Sequence, residues 1–260
     1  MSLVITVGPT GPVATKADNP ALPTTPEEIA AVVSIHLRDE QQRPTGDISI
    51  GRRAMNRIAE QSPILIQLST GVGLGVPHDE RAQLLELRPR MATLSPCSMT
   101  FGSTEFRNPP DFVRRLAGRM RELGIKAELE IYDMGHIDEA ARLLAEGLLT
   151  EPLQFSIVMG VRGGMAATPE NLLHAVRALP PGSIWQVIAV GRANLEMTAM
   201  ALALGGNART GLEDTLYLRR GELAPGNAAL VSRVAELGQV LGRPAATVQE
   251  TEELLGLDKA

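Results

Sequence analysis

Short apolar segments alternate along this chain with longer segments in which apolar residues recur every three or four positions. The short segments have the length and composition of β-strands. Most of them lack a two-residue alternation of polar and apolar side chains, so both faces are expected to be buried, as in a parallel sheet. Eight strands are predicted: Leu3–Val7, Val32–Leu37, Ile64–Leu68, Met91–Leu94, Lys126–Ile131, Gln154–Met159, Trp185–Val190 and Asn207–Thr210.

The segments between these strands carry the signals of amphipathic helices. Pro110–Leu123 places apolar residues on one face and is followed by Gly124, a residue that favours helix termination. A last helix is expected after Thr247, which together with Glu250 has the sequence signature of a capping box. The other predicted helices are Ile137–Leu149, Pro169–Ala178, Thr198–Leu204 and Ala228–Leu241.

Eight strands alternating with helices predict an α/β protein, a (β/α)8 TIM barrel formed by residues 1–260 as a single domain with C-terminal helices. A doubly wound open sheet is the alternative. The first crossover helix is irregular, because Thr25 and Pro26 form a strong helix start but only Ile29–Ala31 separate Glu28 from the next strand. A crossover needs about ten or more residues. We therefore expect this helix to be truncated, or a segment to be missing from the sequence.

Composition and charge narrow the classes of function. Apolar residues make up 44% of the chain, which is enough for a sizeable core, and the net charge of -5 offers no basic field for nucleic acid. The single cysteine, Cys97, excludes an internal disulfide framework and fits a reducing compartment. The residues MSLVITVGPTG lack the basic and long apolar regions of a signal peptide, and no apolar run approaches about 18 residues, so neither a leader nor a membrane span is expected. A cytoplasmic protein that acts on small molecules is expected.

In a barrel of this kind, residues at the C-terminal ends of the strands face the active site. Candidate site residues are therefore the polar groups and glycines in the last positions of the predicted strands or just after them: His36, Ser69, Thr93, Glu130, Gly163, Gly164, Arg209, Glu213 and Asp214. Each also has a purely structural interpretation. A lone histidine is more often a packing residue than a ligand, an acidic pair suits an exposed helix start, and a glycine-rich loop suits a tight turn as well as an anion site.

Ten segments, taken in order and with their spacing, are more specific than any single motif: ITVGPTG (5–11), NPALPTTPEE (19–28), IHLRDE (35–40), IQLSTG (66–71), MATLSPCSMTFG (91–102), ELEIYDMG (128–135), GVRGGM (160–165), GR (191–192), GGNARTGLED (205–214) and NAALV (227–231). Through them the chain resembles, nearly end to end, the β-keto acid cleavage enzymes, which include 3-keto-5-aminohexanoate cleavage enzyme. The resemblance implies a zinc-dependent (β/α)8 barrel that condenses a β-keto acid with acetyl-CoA and releases acetoacetate and a new acyl-CoA. It also implies a homotetramer.

The resemblance assigns roles to individual residues. His36 and Glu213 match zinc ligands, and such ligands leave a position open for a substrate oxygen, which the metal polarises. Asp214 matches the general base, and Arg209 the residue that pairs with it. The substrate is expected to meet Glu130, an acid suited to an amine, together with Ser69 and Thr93. Gly163 and Gly164 are added as substrate-binding residues because their loop, GVRGG, has the glycine density of an anion-binding loop.

Four positions depart from the family pattern. The strand expected to end in H-x-H reads Ser34-Ile35-His36, and residues two apart on a strand share a face, so a serine stands where a zinc ligand is expected. The other departures are Val13, Arg162 and Thr215. Losing a ligand should lower metal affinity by at least the roughly 10–100-fold seen for outer-shell losses. Two alternatives to zinc-dependent transfer therefore remain: a metal-free barrel lyase or aldolase, and a non-catalytic relative that binds an acyl or CoA ligand.

Overall fold

A computed structural model describes residues 2–11, 14–22 and 34–257. Eight parallel strands form a nearly closed barrel surrounded by helices, which confirms the predicted fold class. The barrel strands follow one another in the order β1-β10-β9-β8-β7-β4-β3-β2, and two antiparallel hairpins, β5–β6 and β11–β12, are added to them. In chain order the strands are β1 (Ile5–Val7), β2 (Ser34–Ile35), β3 (Gln67–Leu68), β4 (Met91–Leu94), β5 (Met99–Phe101), β6 (Thr104–Phe106), β7 (Lys126–Ile131), β8 (Gln154–Met159), β9 (Ile184–Ala189), β10 (Asn207–Thr210), β11 (Tyr217–Arg219) and β12 (Glu222–Leu223).

The apolar strand residues form the core on the helix-facing side of the barrel. The largest buried cluster joins side chains of β4, β7, β8 and β9 to the helices that cover them, with Phe155 and Leu129 completely buried. Val7 of β1 and Ile35 of β2 share a second cluster, which brings the two end strands of the order together. Burying both faces of each strand removes most of its apolar surface from water, which is the main driving force for this architecture.

The helical layer follows the predicted pattern, with shifted ends. Asp133 accepts a hydrogen bond from the Gly135 backbone N–H, so the helix predicted at Ile137 already begins at Met134. The capping box of Thr247 and Glu250 is present. The helices are α1 (Ile48–Gln61), α2 (His78–Ala82), α3 (Pro110–Glu122), α4 (Met134–Ala145), α5 (Pro169–Ala178), α6 (Asn194–Ala203), α7 (Asn227–Val240) and α8 (Val248–Leu255).

Some of the predicted features fall on parts of the chain for which no structure is described. These are the shortened or missing first crossover helix, the start of the second strand at Val32, and the departure at Val13. Within the described residues, no helix is both long enough and apolar enough to cross a lipid bilayer.

Candidate active site

The candidate site lies at the C-terminal ends of the barrel strands, where His36 directly follows β2 and Arg209 is the penultimate residue of β10. A turn after β10 then returns Glu213 and Asp214 to the barrel mouth. Gly211 makes this turn possible, because its φ is +146° and a Cβ there would collide with the Gly8 carbonyl after β1. That close approach allows the Glu213 backbone N–H to donate to the Gly8 carbonyl at 3.0 Å.

Arg209 lies at the centre of the site and is surrounded by carboxylates. Its Nε is 3.1 Å from Oδ2 of Asp214 and its Nη2 is 2.9 Å from Oδ1, so the guanidinium holds Asp214 by both oxygens. The same Nη2 donates to Glu213, and Nη1 is 3.5 Å from Oε1 of Glu130. Arg209 and Asp214 are both buried. Bidentate pairing of this kind fixes the orientation of the carboxylate as well as neutralising it.

His36 faces Glu213 from the other side. Its Nε2 lies 3.4 Å from Oε1 of Glu213, and its Nδ1 lies 3.3 Å from the Val72 carbonyl oxygen, to which an Nδ1–H can donate. Burial disfavours the imidazolium, but the Glu213 carboxylate outweighs burial and raises the pKa of His36. The imidazole and the carboxylate predicted at the barrel mouth therefore lie next to one another.

The carboxyl groups of the site differ in acidity because their surroundings differ. Burial raises the pKa of Glu130 to about 7, and burial also raises the pKa of Asp214. Burial acts on Glu213 in the same direction, but Arg209 and His36 outweigh it and lower the pKa of this carboxyl. The site thus combines one strongly acidic carboxyl with two that take up a proton more readily, an arrangement typical of proton-transfer chemistry.

The serine predicted at a zinc-ligand position is buried one level deeper in the barrel. Ser34 Oγ accepts a hydrogen bond from Gln67 Nε2 at 3.3 Å, and a neutral hydroxyl is a weak zinc ligand. Glu213 keeps a buried Oε2 that has no hydrogen-bond partner among the described residues, so it and His36 supply two donors. Catalytic zinc sites commonly use three protein ligands. No group of three or more His, Cys, Asp or Glu side chains in the described parts of the chain forms such a site. The donor set does not fit the zinc centre that the resemblance implies.

Ser69 and Thr93 take different places around the site. A cavity opens at the mouth of the barrel, and Arg209, Asp214 and Ser69 are among the residues that line it. Ser69 Oγ accepts a hydrogen bond from the Gly71 backbone N–H at 3.2 Å. The Thr93 Oγ1 accepts the Thr70 backbone N–H at 3.0 Å, while the Thr70 hydroxyl donates to the Thr93 carbonyl at 2.7 Å. Thr93 thereby fixes the segment that follows β3, next to Ser69.

The glycine loop after β8 packs closely against the β5–β6 hairpin. Gly163 has a φ of +100°, and a Cβ at this position would collide with the Thr100 carbonyl. Gly164 is close to the Tyr132 backbone in the same way, with its N–H bonded to the Val161 carbonyl at 3.0 Å. These glycines allow the hairpin and the loop to meet beside the cavity, which Arg162 and Val161 line.

An aromatic wall, which was not predicted from the sequence, lines one side of the cavity. Phe101 and Phe106 come from the β5–β6 hairpin and lie edge to face, with ring centroids 6.4 Å apart. Tyr132 lies 6.1 Å from Phe101 and carries its hydroxyl 3.5 Å from Glu130. The signal for the hairpin was in the sequence, because Gly102 separates two short segments rich in β-forming residues. These rings give an otherwise charged cavity an apolar side.

Comparison with known proteins identifies relatives over nearly the full length. A statistical description of the β-keto acid cleavage enzymes matches residues 2–257. The chain is 37% identical over 270 residues to a 3-keto-5-aminohexanoate cleavage enzyme of Fusobacterium nucleatum, covering 99% of this chain and 98% of the relative. It is 38% identical to a 3-oxoadipate:acetyl-CoA acetyltransferase of Cupriavidus necator, covering 98% of this chain and 94% of the relative.

A solved structure extends the comparison at the level of the fold. Methylornithine synthase superposes with a TM-score of 0.51 at 12% identity, covering 88% of this chain and 75% of that one. At this identity the match supports the barrel architecture alone.

Proposed function

The chain belongs to the β-keto acid cleavage enzyme family, and we propose that it transfers the acetyl group of acetyl-CoA to a β-keto acid, forming acetoacetate and a new acyl-CoA. The observation that carries this proposal is the buried pair of Asp214 and Arg209 at the open end of the barrel. The curated relatives named above carry keto acid cleavage and acetyl-CoA acetyltransferase names, which supports the same class of reaction.

Asp214 is the residue we assign as general base. The carbon between the carboxylate and the ketone of a β-keto acid bears an acidic proton, and its removal needs a carboxylate held close to the bound substrate. Arg209 fixes both oxygens of Asp214, and burial raises the pKa of Asp214, which makes it a better proton acceptor than an exposed carboxylate.

Positive charge near the reacting atoms stabilises the enolate that forms. Arg209 and His36 are the buried groups of the site that supply it. Because both groups are buried, their fixed charges act strongly on a developing oxyanion. Glu130, with a pKa near 7, is available to a polar group elsewhere on the substrate, and Ser69 and the segment held by Thr93 line the space beside it.

After Asp214 has removed the proton, the proposed transfer proceeds through a condensation and a cleavage. The carbanion attacks the carbonyl carbon of acetyl-CoA, and the CoA thiolate leaves. The thiolate then adds to the original ketone carbon, and the bond between that carbon and the former carbanion carbon breaks. The acyl group leaves as acyl-CoA, and the acetoacetate carbanion recovers the proton held by Asp214.

Zinc enters no step of this proposal, because the described residues lack the third donor. His36 and Glu213 are the two residues we assign to any cation at the site. Ser34 favours a second candidate function, a metal-free lyase that cleaves the keto acid without acetyl-CoA. The proposal also includes a cytoplasmic homotetramer, which the resemblance alone supports and which light scattering would test.

The test is an assay of acetoacetate with acetyl-CoA and a panel of β-keto acids, including 3-keto-5-aminohexanoate and 3-oxoadipate. Acetoacetate and acyl-CoA formed in equal amounts, only when acetyl-CoA is present, would support the transfer. Cleavage that proceeds without acetyl-CoA would establish the lyase instead. Binding of acetyl-CoA without any turnover across the panel would leave a non-catalytic relative.

A further inference from the structure

The mouth of the cavity is strongly cationic, in contrast with its inner end. At the inner end, Arg209 is balanced by the carboxylates around it. Around the mouth, five guanidinium groups face two carboxylates among the described lining residues. The cationic residues are Arg162, Arg192, Arg219, Arg220 and Arg233, and the anionic residues are Asp18 and Glu196. In a protein whose net charge is -5, this local excess of positive charge is opposite in sign to the whole.

Three of these arginines have side chains with no partner within the described residues. Arg219 pairs with Glu222 at 2.5 Å, and Arg233 donates to the Asn194 side chain at 3.0 Å. The side chains without a hydrogen bond or ion pair, all exposed, are those of Arg162, Arg192 and Arg220. Their planar donor groups are therefore available to an anionic ligand.

The three arginines come from neighbouring parts of the rim. Arg162 follows β8 and Arg192 follows β9, and these strands are adjacent in the barrel. Arg220 lies in the turn of the β11–β12 hairpin, which comes after β10, the other neighbour of β9, and it lines the same cavity. The loops after β9 and β10 also touch, because the Gly191 backbone N–H donates to the Asp214 carbonyl at 2.7 Å. We call the three residues Arg162, Arg192 and Arg220 the cationic arc. Through the contact at Gly191, this arc begins directly beside Asp214, the proposed general base.

We propose that Arg162, Arg192 and Arg220 bind the phosphate groups of acetyl-CoA. The inference rests on the proposed function and deepens it, since it assigns the nucleotide end of the thioester to one arc of the rim. One guanidinium group can donate to two phosphate oxygens at once. Several arginines without partners therefore suit a ligand that carries several phosphate groups better than one that carries a single carboxylate. The wall below the arc is apolar and suits the uncharged arm that carries the thioester inward. Its residues are Val158, Val161, Ile188 and Val190.

The test replaces all three arginines with glutamine and measures binding of adenosine 3′,5′-bisphosphate, the phosphate-bearing end of CoA, by calorimetry. We expect the dissociation constant to rise at least about tenfold, as fits the loss of several charge-assisted hydrogen bonds. A matched control replaces three exposed arginines of α1, Arg52, Arg53 and Arg57, with glutamine, which changes the net charge equally. Equal affinity in both triple variants and the unaltered protein would overturn the proposal.

Steady-state kinetics distinguish binding of the CoA phosphates from binding of the keto acid carboxylate. In the rim variant we expect the KM for acetyl-CoA to rise, while the KM for the keto acid and the KM for a phosphate-free acetyl thioester stay unchanged. A rise in the KM for the keto acid alone would contradict the proposal and would indicate that the arginines bind the substrate carboxylate. If no thioester is turned over but bisphosphate binding is lost in the rim variant, the proposed function fails and the phosphate site stands.

Discussion

Arg209 holds Asp214 by both carboxylate oxygens, with Nε 3.1 Å from Oδ2 and Nη2 2.9 Å from Oδ1, while the same guanidinium also contacts Glu213 and Glu130. One buried cation thus serves three carboxyl groups. This arrangement leaves Asp214 oriented but only partly neutralised, since Arg209 is shared. The base and the group that orients it can therefore be tested separately.

Replacing Asp214 with asparagine should remove the proton acceptor and preserve the shape of the side chain. We expect kcat to fall by about 100- to 10,000-fold, the usual contribution of a positioned general base. The affinity for acetyl-CoA should change little. Single-turnover assays with binding measured by calorimetry check this, and a variant that retains more than a third of the wild-type kcat would exclude Asp214 as the base.

Replacing Arg209 with glutamine should destabilise the protein, because three carboxyl groups lose their shared cation in a buried site. Removal of one partner from a buried ion pair typically lowers the free energy of unfolding by about 3–5 kcal/mol. Urea unfolding at neutral pH measures the change. Arg57 on α1, half exposed and paired with Glu60, is the control, and its glutamine variant should stay within about 0.5 kcal/mol of wild type.

Replacing Ser34 with histidine should raise zinc occupancy, because residues two apart on a strand share a face and the new imidazole would join His36. Metal content after purification without added zinc is the readout, and it does not depend on turnover. A Ser34→Ala variant controls for the loss of the contact with Gln67. Unchanged occupancy in a folded histidine variant would count against His36 and Glu213 as metal donors.

Much of this fold was predictable because both faces of the barrel strands are buried. The strands Met91–Leu94 and Gln154–Met159 coincide with their predicted limits. The strand predicted at Ile64–Leu68 is shortened to Gln67–Leu68, since Pro63 has no N–H and the Ile64 N–H is bonded to Ser62 Oγ at 3.3 Å. Local hydrogen bonds set the ends of such strands, and the apolar pattern of the sequence carries no information about these bonds.

The site was predictable to the extent that its residues follow strands. His36 and the Arg209 to Asp214 segment meet because strand ends in a parallel barrel share one rim. The partners of individual side chains were less accessible from sequence. The Thr93 hydroxyl bonds to the adjacent Thr70 N–H, and this depends on the register of β3 against β4. The α1 helix was also not predicted, although Asp47 is a favourable N-cap for it.

Glu128 lies beneath the site, completely buried, where Ser156 Oγ is 2.6 Å and Gln186 Nε2 is 3.3 Å from its Oε1. Burial raises the pKa of this carboxyl, so the folded protein holds a proton that the unfolded chain releases at a lower pH. The contribution of Glu128 to stability is therefore fully present below the ordinary glutamate pKa and decreases as pH rises towards the raised pKa.

A Glu128→Gln variant should remove this pH dependence, because the amide keeps the shape of the protonated acid and has no proton to lose. We expect the variant to match wild type at about pH 4, near the pKa of an exposed glutamate, and to exceed it in unfolding free energy at neutral pH. Urea unfolding at several pH values measures the difference. Glu60, an exposed glutamate on α1, provides the control, since its glutamine variant should not alter the pH profile. A Glu128→Gln protein that loses stability equally at every pH would show that the buried carboxyl is ionised in the folded state or needs an acceptor that the amide lacks.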